Sequence, residues 1–377
     1  MRILHIIFSF NIGGAEAMLA DIINSQCKHV QVKLIIVNSG INTALLASVS
    51  KNVEVICLNR RPGSVNPIPL ILLNREIRKF KPDVIHCHNR NMVNAIWWLS
   101  YRRKSLLTIH DTGGTFKYIH KFKACIAISE AVKTDVLERS KLDIDIIYNG
   151  VRCTDIKAKR TDAANVLPDR ITRVVQVSRL HHEKKGQHLA LMAIRKMIDK
   201  GYCPIQLDFI GTGKSLDYLK RLSSDLGIGA YVQFLGIKSR AYIYEHLSEY
   251  DLLIQPSLYE GFGLTIAEAM AAKVPVLVSN IEGPMELIKN GTYGAYFEAG
   301  NAEGLALKLI EFTNLMGTEL LRERVERAYV YCNKHFNISV TADAYISKYK
   351  TLQMESDLCA STSSSTSSST STSTSTP

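Results

Sequence analysis

The chain has 377 residues, 46% of them hydrophobic, and carries 46 Lys and Arg against 35 Asp and Glu, a net charge of +11. That length and apolar share suffice for two domains with full cores, and no apolar run approaches the roughly 20 residues of a membrane-spanning helix. Eight scattered cysteines without a C-x-x-C pair argue against a zinc ribbon or a disulfide framework and for a reducing cytoplasm.

The first residues, M-R-I-L-H-I-I-F, read as a strand and not as a leader. Their apolar run is short, lacks a small-residue cleavage site and leads straight into a glycine turn. Strand-like runs follow at 32–37, 53–58, 84–87, 105–109, 124–128 and 144–147. Helical patterns fit between them at 15–25, 43–48, 67–80, 92–100 and 130–139. This alternation predicts a parallel sheet covered on both faces. Residues 154–169 are polar and lose the pattern, as a linker does. The rhythm restarts at 173–177, 206–210, 231–234, 252–255, 274–278 and 294–297. The chain is therefore α/β, with two Rossmann-like, doubly wound domains at 1–165 and 170–335. Such domains in series leave a crevice between the carboxyl ends of their sheets. Helical stretches at 317–334 and 339–352 follow, and residues 360–377 are almost wholly Ser and Thr. That tail cannot bury a core and is expected to be disordered.

Candidate site residues lie at the ends of these strands. After the first one, F-N-I-G-G-A-E places Gly13 and Gly14 in a turn that permits close backbone approach to a phosphate. It is not G-x-G-x-x-G, so a dinucleotide site is poorly supported. His86-Cys-His88 ends the fourth strand. Without further ligands at suitable spacing the pair reads as structural or acceptor-side, and no metal site is expected. His110, in L-T-I-H-D, ends the next strand and would project into the crevice. In the second half, V-S-R-L-H-H-E-K-K-G puts Arg179 at a strand end and Lys184 and Lys185 just before a helix. F-I-G-T-G-K-S at 209–215 imitates a P-loop but has Asp208 where that motif needs glycine. Gly211 opens a G-x-G turn there, and Leu235 ends the next strand.

The most specific segment is 260–268, E-G-F-G-L-T-I-A-E. It follows the buried run 252–255 and opens a helical pattern at 266–272. Glu260 thus stands in a loop and Glu268 about two turns into the helix. Between them, Gly261, Phe262, Gly263, Leu264 and Thr265 include the free N–H groups of a helix start, which favour an anion. Phosphate-binding backbone flanked by two hydroxyl-binding carboxylates suits a sugar nucleotide.

This segment resembles the E-x7-E signature of retaining glycosyltransferases with the GT-B fold, family 4 in particular (glycosyl transferases group 1). Residues 179–186 are similar to the family's R-L-x(3,4)-K-G pattern, and the likeness covers about residues 1–350. It implies a GT-B architecture, two Rossmann-like domains facing across the crevice, with the last helix crossing back onto the first. It implies that Gly13 and Gly14 lie against the donor phosphates and that His110 contacts the donor sugar. Arg179 with Lys185, or Lys184 by a one-residue shift, would neutralise the departing phosphate without a divalent metal. Gly211 would lie beside the nucleotide, and the segment around Leu235 would hold the base through backbone atoms. Glu260 would contact hydroxyls of the transferred sugar and Glu268 the ribose. The implied reaction is transfer with retention by front-side attack, the leaving phosphate taking the acceptor's proton. No cofactor beyond the nucleotide-diphosphate-sugar donor is implied.

Residues 1–150 hold 20 Lys and Arg against 11 Asp and Glu, so most of the net charge lies in the first domain. Solvated helix ends would explain that excess, and so would a face for anionic lipid headgroups or a polyprenyl-pyrophosphate-linked acceptor. Nucleic acid is not expected, for want of a recognition helix or aromatic-basic interleaving. The leading reading is a cytoplasmic hexosyltransferase, peripheral at most to the inner face of a membrane. Its acceptor would be a glycan or lipid-linked chain in surface polysaccharide synthesis (O-antigen, capsule or lipopolysaccharide). A GT-B sugar-nucleotide epimerase and a non-catalytic basic membrane- or nucleic-acid-binding protein are the alternatives.

Overall fold

Runs of Val, Ile and Leu, apolar on both faces, form two parallel sheets in the structure, a computed structural model describing residues 1–11, 13–160, 171–202 and 205–365, with side chains to 355. The first sheet comprises β1 (Arg2–Ile7), β2 (Gln31–Asn38), β3 (Glu54–Arg60), β4 (Val84–Cys87), β5 (Ser105–Ile109), β6 (Ala124–Ala127) and β7 (Asp145–Ile146), in the order β3-β2-β1-β4-β5-β6-β7. The second comprises β8 (Thr172–Val177), β9 (Ile205–Ile210), β10 (Val232–Gly236), β11 (Leu252–Gln255), β12 (Val276–Ser279) and β13 (Ala295–Phe297), in the order β10-β9-β8-β11-β12-β13. Every run that the sequence marks as a strand is one, its ends shifted by at most two residues.

Strand order reverses between β1 and β4 in the first sheet and between β8 and β11 in the second. The chain leaves those four carboxyl ends through residues 8–14, 88–89, 178–186 and 256–263. Topology alone therefore carries Gly13, Gly14, His88, Arg179, Lys185 and Glu260 to the switch points where doubly wound sheets bind ligands. The lobes share a core. One apolar cluster runs from Leu4, Ile85 and Leu107 in the first sheet to Ile266, Met270 and Val276 in the second lobe.

Two elements depart from the sequence reading. Residues 92–100 do not form one helix. They are a 3-10 turn at Arg90–Ala95 and a short helix at Leu99–Arg102, with extended chain between. Asn74 causes the break. Its amide nitrogen donates to Ala95 O at 2.8 Å and its oxygen accepts from Trp97 N–H at 2.9 Å, imitating a strand partner. The last helix begins near 339 but runs from Ile338 to Ser365. No glycine or proline in 353–365 stops it, and the helix takes in the first residues of the Ser/Thr tail. It packs on the first lobe, where Tyr345 and Tyr349 are buried among Ile3, Met18, Ile22, Val84 and Leu106. The rest of the Ser/Thr tail and residues 161–169 of the expected linker lie outside the described residues.

Candidate active site

The loop after β11 turns into the helix Leu264–Ala271 through Gly263, at φ 103°. That left-handed conformation is strained for any residue with a Cβ. The loop after β8 is strapped to it by backbone. Leu258 and Tyr259 N–H donate to Lys184 O at 2.8 and 3.1 Å. A Cβ on Gly186 would lie 1.8 Å from Pro256 O. From within the fold, Gln176 Nε2 donates to Lys185 O at 2.8 Å and Gln187 Nε2 to Arg179 O at 3.0 Å. These straps set Lys185 Nζ 2.5 Å from Glu260 Oε2. Glu260 also accepts from Gln255 Nε2 at 3.1 Å and Ser257 Oγ at 3.5 Å. The cation expected to hold phosphate and the carboxylate expected to hold sugar are thus paired with each other. The side chains of Arg179 and Lys184 are exposed.

The first lobe meets this site from the other side. A Cβ on Gly14 would sit 3.1 Å from Leu264 Cδ1, so the glycine turn abuts the helix start. The Glu16 carboxyl folds back over Gly13, within reach of the Arg179 charge; burial raises its pKa, which Arg179 partly offsets. A Cβ on Gly261 would lie 3.2 Å from His110 O, and Ser129 Oγ donates to Gly261 O at 2.6 Å. Glu130 N–H donates to both Glu286 oxygens at 2.9 and 3.0 Å, so the second lobe caps the first lobe's helix Glu130–Ser140. Both His110 ring nitrogens are shielded and lack a partner among the described residues. Burial pushes its pKa down to about 4, so the imidazole is neutral at pH 7.

Glu268, 8% exposed, stands in the second turn of its helix. Burial pushes its carboxyl up to about 7 against the pull of Arg240. Arg240 Nε lies 3.9 Å from Glu268 Oε1, and Arg240 Nη1 lies 2.5 Å from Asp21 Oδ2 in the first lobe. Arg152 Nε is 3.4 Å from Asp21 Oδ1. A four-residue charge chain therefore ties the lobes together at the expected ribose position.

On the nucleotide side, Gly211 at φ 139° lets two strand ends touch, since a Cβ there would lie 2.0 Å from Ser178 O. Its N–H donates to Gly236 O at 2.9 Å, and Leu235 beside it is half-buried. Leu264 and Thr265 are half-buried at the helix start. The Phe262 ring is 2% exposed, 6.4 Å from Tyr148 and 5.5 Å from Phe336, so only its backbone is left to face a substrate. A phenyl ring gains more from apolar burial than from a polar crevice, so its side chain is core.

Asp21, Arg152 and Arg240 stand in no local pattern, and only the fold brings them to Glu268. Glu16 was within reach of sequence reasoning, being in the same G-G-A-E stretch as the glycine turn. His5 was missed as well. β1 pairs with β4 so that His5 is opposite His86, and ring nitrogens of His5, His86 and His88 lie within 4.8 Å of one another. Most of those nitrogens already have hydrogen-bond partners, so the cluster is a hydrogen-bonded network.

Residues 158–330 match the family described as Glycosyl transferases group 1, and residues 12–155 match Glycosyltransferase Family 4. An uncharacterized glycosyltransferase of Methanocaldococcus jannaschii is 29% identical over 255 residues, 60% of this chain and 65% of that protein, just under two thirds of its length. The phosphatidyl-myo-inositol mannosyltransferase of Mycobacterium leprae is 25% identical over 284 residues, 72% of this chain and 74% of that one. Among solved structures, Anabaena HepE in complex with UDP and glucose superposes with a TM-score of 0.76 at 20% identity, covering 93% of this chain and 100% of that one. At that identity the likeness is one of fold.

Proposed function

The chain belongs to glycosyltransferase family 4, the glycosyl transferases group 1, and has the GT-B fold; from that membership we propose that it moves a hexosyl group from a nucleotide-diphosphate sugar to a glycan or lipid-linked acceptor, with retention at the anomeric carbon. The observation that carries this reading is the Lys185–Glu260 pair at the foot of a Gly263-started helix, facing the Gly13-Gly14 turn. Donor phosphate replaces Glu260 as the partner of Lys185, and the freed carboxylate turns to sugar hydroxyls.

Arg179, Lys184, Lys185 and the N–H groups at the start of Leu264–Ala271 meet the charge on the departing phosphate. Each charge-assisted hydrogen bond contributes about 1.5–3 kcal/mol, and the helix terminus about 0.3–2. The bond from the anomeric carbon to phosphate oxygen breaks while the acceptor oxygen bonds to that carbon on the same face. The acceptor's proton passes to the departing phosphate oxygen. Glu268 and the Gly211 turn hold the ribose and phosphate end, and His110 faces the sugar. The only small molecule called for is the donor.

For the acceptor, the first lobe supports a membrane-bound or anionic one in surface polysaccharide assembly at a cytoplasmic membrane face. The helix Ile68–Phe80 buries Leu73, Ile77 and Phe80 but exposes Ile68, Ile71 and Leu72. Trp97 (49% exposed) and Leu99 (60%) continue that apolar stripe, with Arg78 stacked over Trp98. Arg61, Arg75, Lys79 and Arg103 stand exposed around it. No helix among the described residues is long and apolar enough to cross a membrane. An apolar stripe rimmed by cations fits a headgroup boundary.

The test is thermal shift with UDP, GDP and ADP sugars, then incubation of the stabilising donor, labelled in its sugar, with and without lipid-linked acceptor. Bound donor raises the melting temperature by mass action. Acceptor-dependent transfer supports the proposal. Turnover to free product without acceptor would make the chain an epimerase or hydrolase, and no response to any nucleotide sugar would overturn the reading.

A further inference from the structure

The histidine network leaves one unfilled position. Gln26 is fully buried, with its amide nitrogen toward Tyr349 OH at 3.4 Å and its oxygen toward His5 Nε2 at 3.0 Å. An amide oxygen only accepts, so His5 carries its proton on Nε2. His5 Nδ1 is then a bare acceptor. His88 Nε2, 3.1 Å away, must donate to it. That leaves the lone pair of His88 Nδ1 free. The atom is shielded from solvent, in a residue 6% exposed, and has no partner among the described residues. The neighbouring His110 ring, near-parallel at 5.9 Å, has two more such nitrogens. Burial pushes His5, His88 and His110 down, so all are neutral at pH 7. Buried polar atoms in folded proteins are almost always satisfied, and both residues follow strand ends that face the crevice.

We propose that His88 Nδ1 accepts a hydrogen bond from a hydroxyl of the transferred sugar, next to His110, and that Gln26 and His5 are positioning residues that fix this sense by holding the tautomer. The proposal rests on the glycosyl-transfer reading. Reversing the Gln26 amide would reverse every bond in the relay and present an N–H at the same place, so the amide decides whether the site accepts or donates.

His88→Gln keeps a donor near Nε2 and removes the acceptor at Nδ1; His88→Asn does the opposite. His88→Gln should raise donor KM or lower kcat/KM about tenfold, the loss of one neutral hydrogen bond, while binding of the free nucleotide stays unchanged. His88→Asn should keep more of the activity. Gln26→Met should shift the same parameter in the same direction. On wild-type protein, imidazole 15N NMR should show His88 Nδ1 as a pyridine-type nitrogen that moves with nucleotide sugar and not with nucleotide alone. Donors deoxygenated at one ring position at a time should identify the hydroxyl, because the matching analogue gains nothing from His88. A pyrrole-type Nδ1, or wild-type donor KM and kcat in His88→Gln, would overturn the inference. If no nucleotide sugar binds at all, the glycosyl-transfer reading fails instead, and the NMR tautomer still reports on the relay.

Discussion

Lys185 and Glu260 satisfy each other in the free protein, so on the proposed reading donor binding exchanges one anion for another. On the proposed reading, removing Lys185 or Arg179 removes charge that would act on the leaving phosphate. Lys185→Ala or Arg179→Ala should lower kcat by about 100-fold or more, by analogy with the loss of an oxyanion donor; single-turnover kinetics at saturating donor would check this. A variant with near-normal kcat would remove that residue from the leaving-group role. Glu268 makes a separate prediction. Its carboxyl lies near 7 because burial disfavours the charge, and on the proposed reading ribose hydroxyls would donate to the carboxylate. Donor affinity should be full above pH 7 and fall below it, toward tenfold per pH unit. Titration calorimetry from pH 6 to 8 reads this, and Glu268→Gln should flatten the profile. For folding, the raised pKa favours the neutral form, so its contribution is complete below about 4.5 and lost as pH rises through about 7. The candidates Glu260, Glu268, Arg179 and Lys185 stand out in the sequence because their pattern is local. Asp21, Arg240 and His5 do not, because strand register and lobe closure place them.

At the scale of elements, alternation of apolar strands with helical patterns was enough for the sheets, since parallel strands buried on both faces have little alternative. The misread stretch at 92–100 shows the limit. Asn74 competes for its backbone from 21 residues away, and no local propensity reports that. The helix Glu130–Ser140 gives a test of how lobes are joined. Ser129 accepts from Val132 N–H at 3.2 Å as N-cap and donates to Gly261 O across the crevice at 2.6 Å. Ser129→Ala should destabilise the fold by about 1–2 kcal/mol, the upper part of the usual cap range, measured by urea unfolding. It should also raise donor KM, since Gly261 loses its tether. Loss of stability with unchanged KM would mean the tether does not shape the site.

For the molecule as a whole, four buried neutral histidines set an acid limit. Their folded pKa values lie below the ordinary 6.5, at about 4 for His5 and His110. Their stabilisation is therefore complete above about 6.5 and lost as pH falls toward 4. Each proton taken up on unfolding costs about 1.4 kcal/mol per pH unit. The urea midpoint should drop steeply between pH 6.5 and 5, and a flat midpoint would contradict the burial of the cluster. The basic, apolar stripe on the first lobe predicts flotation with vesicles containing anionic lipid, weakened by salt. Equal binding to zwitterionic vesicles would leave only the apolar part of that argument.

Tyr349 bonds His86 at 2.6 Å across 263 residues of chain, and Tyr345 reaches Thr108 at 2.8 Å. During synthesis, then, the first lobe leaves the ribosome with its histidine layer uncovered and waits for more than two hundred further residues before that layer is sealed. A stop codon before that for Tyr345 would spare every candidate site residue yet leave the layer unsealed, and the first lobe would need shelter by chaperones until this helix arrives.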